Sequence, residues 1–403
     1  MDAKTKSNIL QLHDEMHKEL EDHLIPFWLK LKDVEHGGFY GLIDYDLVLD
    51  KNAVKGCILN SRILWFFSRA YRLLKKPELL KAASHAFNYL KDYFIDKQYG
   101  GVYWSLNADG SVSDNTKHTY NQAFAIYGLI NYFEVSGDKN ALSLAWNLYE
   151  VIESKCRDEN GYLEAFSYDF KPSNNEKLSE NGVMATRTMN TLLHVFEAYT
   201  DLYRVTNDTR VKEKLHFIMN LFTEKIWNTE LKRQEVFFDS DYNSLIDLYS
   251  YGHDIETSWL FDYCLNNLHE ENYTTLIQPI TDIIADRIFE IAYHDNSLLN
   301  ECERGVNNTK RVWWVQAETV VGFFNAWQKS GEEKYLDAAV SVWEYIKKYM
   351  IDNRKDGEWF SEVEENHNPI TKAIVDPWKC PYHNGRMCME IITRTEAIRD
   401  KNF

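Results

Sequence analysis

One short signal recurs six times along the chain: HGGFYG at 36–41, YGGVYW at 99–104, NGYLEAF at 160–166, RQEVFFD at 233–239, NSLLNE at 296–301 and DGEWFSE at 356–362. Each couples turn-forming residues to β-prone aromatic or branched ones, the mark of a short hairpin or extended loop. Taken at Gly38, Gly101, Gly161, Glu235, Ser297 and Gly357, the signals follow one another at steps of about 60 to 74 residues. So regular a period specifies a repeat architecture.

Two helical patterns lie between successive signals. The second of each pair is amphipathic. Leu80, Ala83, Phe87, Leu90 and Phe94 recur at three- and four-residue steps in 79–97, as do Leu336, Ala339, Trp343, Ile346 and Met350 in 333–350. The first is apolar nearly all round, as in TYNQAFAIYGLINYF at 119–133, and belongs inside. Five pairs fit between the six signals. One more helix precedes the first (7–32) and one follows the last (383–398). These twelve helices predict an all-α fold, an (α/α)6 barrel of six inner and six outer helices with short hairpins or loops at one end. It is expected to form one catalytic domain over residues 1–403. An open solenoid is the rival, but it wants polar caps, and the unpaired terminal helices argue for closure of a ring.

A net charge of −17 disfavours nucleic acid and anionic membranes, since phosphate binding needs clustered Lys and Arg. A neutral substrate is compatible with it. Apolar runs such as ILWFF at 63–67 are too short to span a bilayer, and the start, MDAKTKSNILQLHDEMHKEL, holds no apolar leader. The six cysteines form no CxxC pair, so reduced thiols and a cytoplasmic location are expected. Cys380 and Cys388 flank His383 at a spacing that fits no common zinc pattern, and no metal is expected. The 12 Trp residues lean mildly toward a carbohydrate ligand, because indole stacks on the C–H faces of sugars.

Polar and aromatic residues interrupt the apolar helices at matching places. Arg62 (NSRILWF), His118 and Tyr120 (KHTYNQAF), Asn190 and His194 (TMNTLLH), His253 and Glu256 (SYGHDIE), Trp313 and Trp314 (RVWWVQAE) and His383 (KCPYHNGRM) all fall on first-of-pair helices, mostly in the first turns. Six helices thus bring such groups toward one end, as the rim of a pocket requires. Singly, each has a bland reading: a histidine as a bonded core residue, His118 as a helix cap, Trp313 as packing. Two histidines, a glutamate and an arginine without a phosphate loop suit proton transfer. His253 and Glu256, three apart, share a helix face, so Glu256 is expected to orient His253 and support its cation. Arg62 is placed to stabilise an enediolate oxygen, which makes the reaction proton abstraction α to a carbonyl.

The stretches GGFYG, KGCILNSRILWF, KHTYNQAFAIYGL, LSENGVMATRTMN, SYGHDIE, VWWVQAE and WKCPYHNGRMCMEII resemble the N-acylglucosamine 2-epimerase superfamily, and within it the bacterial cellobiose 2-epimerases, over essentially the whole chain. The resemblance implies an (α/α)6 barrel that epimerises the reducing-end glucose of β-1,4-linked disaccharides at C2, with no metal or redox cofactor. It implies His253 and His383 as the acid/base pair, Glu256 as the partner of His253, and His194 at the catalytic centre. Asn190 would hold the sugar with it. It further implies Arg62 near the carbonyl and O2, Tyr120 in the pocket wall, and Trp314 and Trp378 positioning the two sugars; His118 and Trp313 are left as structural. The partner expected is a disaccharide, and the chain a monomer, with a homodimer as the alternative. Other readings are an N-acylglucosamine 2-epimerase, a mannose isomerase or a non-catalytic sugar-binding protein. An (α/α)6 glycoside hydrolase would draw two carboxylates from Asp254, Glu301, Glu318 and Glu362.

Overall fold

The structure, a computed structural model, describes residues 2–178 and 181–402. Ser179 and Glu180 of the LSENGVMATRTMN stretch, like Met1 and Phe403 at the ends of the expected domain, lie outside the described residues.

Six helices line the centre: α2 (Cys57–Leu74), α4 (Thr119–Ser136), α6 (Met189–Thr206), α8 (Tyr251–Leu268), α10 (Trp313–Ser330) and α12 (His383–Asn402). Six surround them: α1 (Ala3–Lys18), α3 (Pro77–Tyr89), α5 (Lys139–Lys155), α7 (Thr209–Leu221), α9 (Glu271–Ile291) and α11 (Glu333–Tyr345). The burial patterns match the sequence patterns. Every residue of α4 from Thr119 to Tyr132 is buried, whereas α11 buries one side, including Leu336, Ala339 and Trp343. Four outer helices run on past these bounds in a wider π turn, at Glu19–Leu24, Leu90–Phe94, Phe222–Ile226 and Ile346–Met350. The expected helices at 7–32, 79–97 and 333–350 therefore carry the right residues with shifted ends.

Inner helices α2, α4, α6, α8 and α10 each end on a left-handed residue (Lys75, Gly137, Asn207, His269, Gly331) and turn at once into the outer helix that follows. Each inner helix packs on the next, and α12 packs on α2, so the inner ring is closed. The first helix, α1, packs on α12 and supplies its missing outer partner.

The same closure is written into the backbone. A two- or three-residue strand leads into each of α2, α4, α6, α8 and α10, and it pairs antiparallel with a strand of the following unit. Lys55 thus faces Leu106, Lys117 faces Phe166, Arg187 faces Phe238, Tyr249 faces Cys302 and Arg311 faces Val363. The sixth pairing is the bridge between Ile43 and Val375, which joins the segment before α12 to the first unit. Backbone carbonyls of these loops also satisfy the first N–H groups of the inner helices: Cys57 donates to Trp104, Thr119 to Glu164, Met189 to Val236 and Trp313 to Ser361, each at 3.0 Å. Buried ion pairs pin the lead-in strands, among them Lys55–Asp33 at 2.7 Å and Lys117–Asp96 at 2.8 Å.

At the opposite end of the barrel a polar belt ties the inner helices together. Arg69–Glu390 joins α2 to α12, Arg72–Glu134 joins α2 to α4, and Arg204–Glu134 joins α4 to α6. Tyr263–Asp201, Asn325–Asp262 and Arg394–Asn325 complete the circuit through α8, α10 and α12. No helix among the described residues is long and apolar enough to cross a membrane.

Candidate active site

At the hairpin end the inner helices enclose a cavity of about 430 Å³. Arg62, Tyr120, Asn190, His194, His253, Glu256, Trp314, Trp378 and His383 all line it. The ring brings them together because each inner helix begins at this end; Trp378 lies in the loop before α12, and the others sit in first or second turns. A larger groove, about 690 Å³, lies on the outside where the π turns of the first and last outer helices meet; none of these residues reaches it.

Trp314 packs against both principal histidines. Its ring centroid is 4.7 Å from that of His253 and 5.4 Å from that of His383. Gly252 makes this possible: a Cβ there would lie 2.6 Å from Cη2 of Trp314, so no side chain fits between α8 and the indole.

Beneath the imidazoles lies a buried charge cluster centred on Arg386, one turn after His383. Its guanidinium reaches Glu197, Glu256 and Glu318, drawn from α6, α8 and α10. Glu318 accepts from Arg386 Nη2 at 2.7 Å, from Trp259 Nε1 at 3.0 Å and from His383 Nδ1 at 2.7 Å. Glu197 accepts from Arg386, from the Tyr382 hydroxyl, and from His194 Nδ1 at 3.0 Å. A carboxylate accepts, so both His194 and His383 carry the proton on Nδ1 and keep the Nε2 lone pair free. Glu256, Glu318 and His383 also place one ligand atom each within 4.8 Å of one another, but Arg386 already bonds to both carboxylates and supplies the cation there.

Three carboxylates on one guanidinium leave an excess of negative charge. Burial and the neighbouring Glu318 carboxylate push Glu256 up to about 7, against the pull of Arg386. Burial raises Glu318 as well. In Glu197, burial is outweighed by Arg386 and His194, and its carboxyl falls below the usual range. Burial pushes His253 down to about 3, with His194 adding to the effect. His383 is lowered well below the imidazole range by burial, Arg386 and Arg62. Both principal imidazoles are therefore neutral and able to take a proton.

Arg62 has no carboxylate partner among the described residues. It donates to the Tyr120 hydroxyl at 2.8 Å and to the Trp378 carbonyl at 3.3 Å, and it lies over the rings of Phe124 at 4.1 Å and Tyr382 at 4.6 Å. A buried, always-charged guanidinium held by neutral groups is poised for an anion in the cavity. Two further buried atoms at the cavity, Asn190 Oδ1 and Glu256 Oε2, lack protein partners.

One expected pairing is not found. Glu256 shares a helix face with His253 but bonds to Arg386, and it is Ser250 Oγ that meets His253 Nδ1, at 2.7 Å. The stronger charge wins the carboxylate. His118 does not cap its helix with its side chain; it is buried against Trp104, ring centroids 4.7 Å apart. Trp313 packs beside His383 at 5.4 Å. Of the candidate hydrolase carboxylates, Glu318 is locked under His383, Asp254 accepts from Gln234 at 2.9 Å, and Glu362 bonds to Lys372. The sequence reading missed Arg386, Glu197 and Ser250, and gave Glu318 a different role. The available signal was a polar residue one turn from a candidate: His194 and Glu197, Trp314 and Glu318, His383 and Arg386.

The profile of a family described as N-acylglucosamine 2-epimerase (GlcNAc 2-epimerase) matches residues 37–385. A cellobiose 2-epimerase of Ruminococcus albus is 50% identical over 381 residues, covering 94% of this chain and 98% of that protein. The solved structure of a sugar epimerase from a ruminal bacterium is 50% identical, with a TM-score of 0.94 over 94% of this chain and 98% of that one. That of a cellobiose 2-epimerase from Bacillus thermoamylovorans is 46% identical, with a TM-score of 0.92 over 95% and 99%.

Proposed function

The chain belongs to the N-acylglucosamine 2-epimerase family, and on that premise we propose that it inverts C2 of the reducing-end glucose of β-1,4-linked disaccharides, turning cellobiose into glucosyl-mannose and lactose into epilactose. The observation that carries the reading is the pair of imidazoles, His253 and His383, both packed against Trp314, in one cavity with a buried Arg62 guanidinium that has no carboxylate partner among the described residues.

The sequence of events follows from that arrangement. The sugar ring opens, with a histidine Nε2 exchanging a proton with the ring and anomeric oxygens. One imidazole removes the C2 proton, and a cis-enediolate forms. Its oxygen charge falls to Arg62, which has no competing carboxylate among the described residues. Rotation about C2–C3 presents the other face. The first imidazolium releases the C2 proton to solvent, and the second imidazole takes up a solvent proton and delivers it to C2. Glu318 behind His383 supports that residue's cationic form, and Glu197 holds the ring of His194 in place through Nδ1. Asn190 Oδ1 and Glu256 Oε2, buried and unpaired, are acceptors for sugar hydroxyls. Trp314 underlies the reducing-end sugar and Trp378, at the mouth, faces the second. Return of the proton to C1 instead of C2 gives the ketose, a side product.

All six site-forming helices come from one chain, which supports a single catalytic domain over 1–403 working as a monomer. Six unpaired cysteines support a cytoplasmic location.

The test is proton NMR of cellobiose incubated with the protein in heavy water. A terminal mannose carrying deuterium at C2 is the expected product. Inert cellobiose together with turnover of N-acetylglucosamine or mannose would assign the chain to a monosaccharide reaction. Free glucose would indicate hydrolysis, and binding without deuterium exchange would remove the catalytic reading.

A further inference from the structure

Far from the cavity, on the seam where the first helix meets the last, stands a second cluster of metal-ligating type. His13 and His17 lie four residues apart on α1, and Glu396 lies opposite on α12; one ligand atom from each falls within 4.8 Å of the others. The two imidazole centroids are 4.8 Å apart.

Hydrogen bonds settle which nitrogens are free. The Thr395 hydroxyl donates to the Ile391 carbonyl at 2.7 Å, so toward His13 Nδ1, 3.0 Å away, it must accept. His13 therefore carries its proton on Nδ1. His17 Nδ1 lies 2.9 Å from a carboxylate oxygen of Glu21, which fixes the same tautomer. Both Nε2 lone pairs are thus open, and His17 Nε2 lies 3.9 Å from Glu396 Oε1. An imidazole held through Nδ1 by an acceptor while Nε2 faces a carboxylate is how metal-binding histidines are commonly oriented. Two imidazoles and a carboxylate suit a first-row divalent ion of borderline softness, with water in the remaining position.

We propose that His13, His17 and Glu396 form a site for a divalent transition-metal ion such as Zn²⁺, which staples α1 to α12 and so locks the ring shut. Each ligand atom closes on the metal by a small side-chain movement; Glu396 is exposed and free to make it. Arg399, one turn on, is an opposing cation close enough to His13 to disfavour its charged form.

The experiment is calorimetric titration of the full chain with Zn²⁺, paired with thermal unfolding. The wild-type protein should bind an equivalent of Zn²⁺ that His17→Gln and Glu396→Gln lose or bind at least tenfold more weakly. At an excess near 100-fold over Kd, Tm should rise by roughly 3 °C in the wild type and not in His17→Gln. Both positions reach solvent and lie outside the catalytic machinery, so metal-free activity should be the same in the variants. Replacing Zn²⁺ by Co²⁺ should give the visible bands of an imidazole-bound ion, absent in His17→Gln. Absence of binding by the wild type, or binding and Tm rise unchanged by both substitutions, would overturn the proposal and place any bound ion elsewhere.

Discussion

His383 and Glu318 form a dyad: Nδ1 of the imidazole lies 2.7 Å from Oε1 of a fully buried carboxylate. His253, the other proposed proton-transfer group, has, among the described residues, only the Ser250 hydroxyl at the same distance. The two bases are therefore unequal. Negative charge behind His383 stabilises its cation, and a hydroxyl offers His253 much less. Glu318→Gln should lower kcat by roughly 10²–10⁴-fold with little change in KM, whereas Ser250→Ala should cost about tenfold or less. Steady-state kinetics on both variants check the asymmetry, and equal losses would contradict it.

Arg386 holds three carboxylates from three helices. Removing it strands buried negative charge, a loss of about 3–5 kcal/mol by analogy with other broken buried pairs. Arg386→Met should therefore unfold at markedly lower urea than the wild type and show no turnover. Unchanged unfolding would mean that the carboxylates protonate without cost.

The acid limb of stability has a structural origin outside the catalytic pair as well as in His253 and His383 themselves. Burial, aided by Lys177, pushes His118 down to about 3 from an ordinary 6.5. The unfolded chain binds this proton first, so the contribution is present above 6.5 and is lost as pH falls toward 3, at about 1.4 kcal/mol per pH unit. His118→Phe keeps the packing on Trp104 and should flatten the acid limb of a Tm–pH curve. Glu256 acts with the opposite sign. Raised from 4.5 to about 7, it favours the folded state below 4.5 and loses that contribution as pH rises through 7. Curves of equal slope for wild type and His118→Phe would rule out the first effect.

Gly252→Ala tests the placement of Trp314. Alanine is favoured in a helix by about 1 kcal/mol over glycine, so backbone propensity predicts a neutral or stabilising change. The new Cβ would meet the indole at 2.6 Å and push it from its place beside His253. Turnover should fall by about 10²-fold without loss of helix content, measured by activity and circular dichroism together.

Much of this was open to sequence reading, for a physical reason. The hairpin signals mark the period, and all-round apolar patterns such as 119–133 separate inner helices from outer ones, so the ring followed. The histidines stood out because six helices supply polar or aromatic groups in register at one end, which the bland readings of single residues do not account for. What stayed hidden were contacts between helices. Spacing places Glu256 and His253 on one face, but which of them Arg386 claims depends on the rotation of α12 against α8, and no single-helix pattern encodes that. Ser250 was overlooked because it lies in the lead-in strand, one residue before the helix whose face was being read. The π turns that shift the outer helix ends leave no periodic trace beyond a residue of slack.

A closed ring has a cost in time. Ile9, Leu12 and Met16 of α1 are all fully buried, yet α12, on which α1 packs, is made after every other helix of the ring. At ordinary rates of synthesis the apolar side of α1 waits on the order of tens of seconds for its partner. The contacts between α1 and α12 are also the slowest kind to form, since all the other helices of the ring must be looped out between them. During that wait the nascent chain is an open arc with two unpaired edges, one at each end. It is best protected from aggregation once the ring shuts and least protected just before, so the yield of folded protein is governed by how that interval is covered.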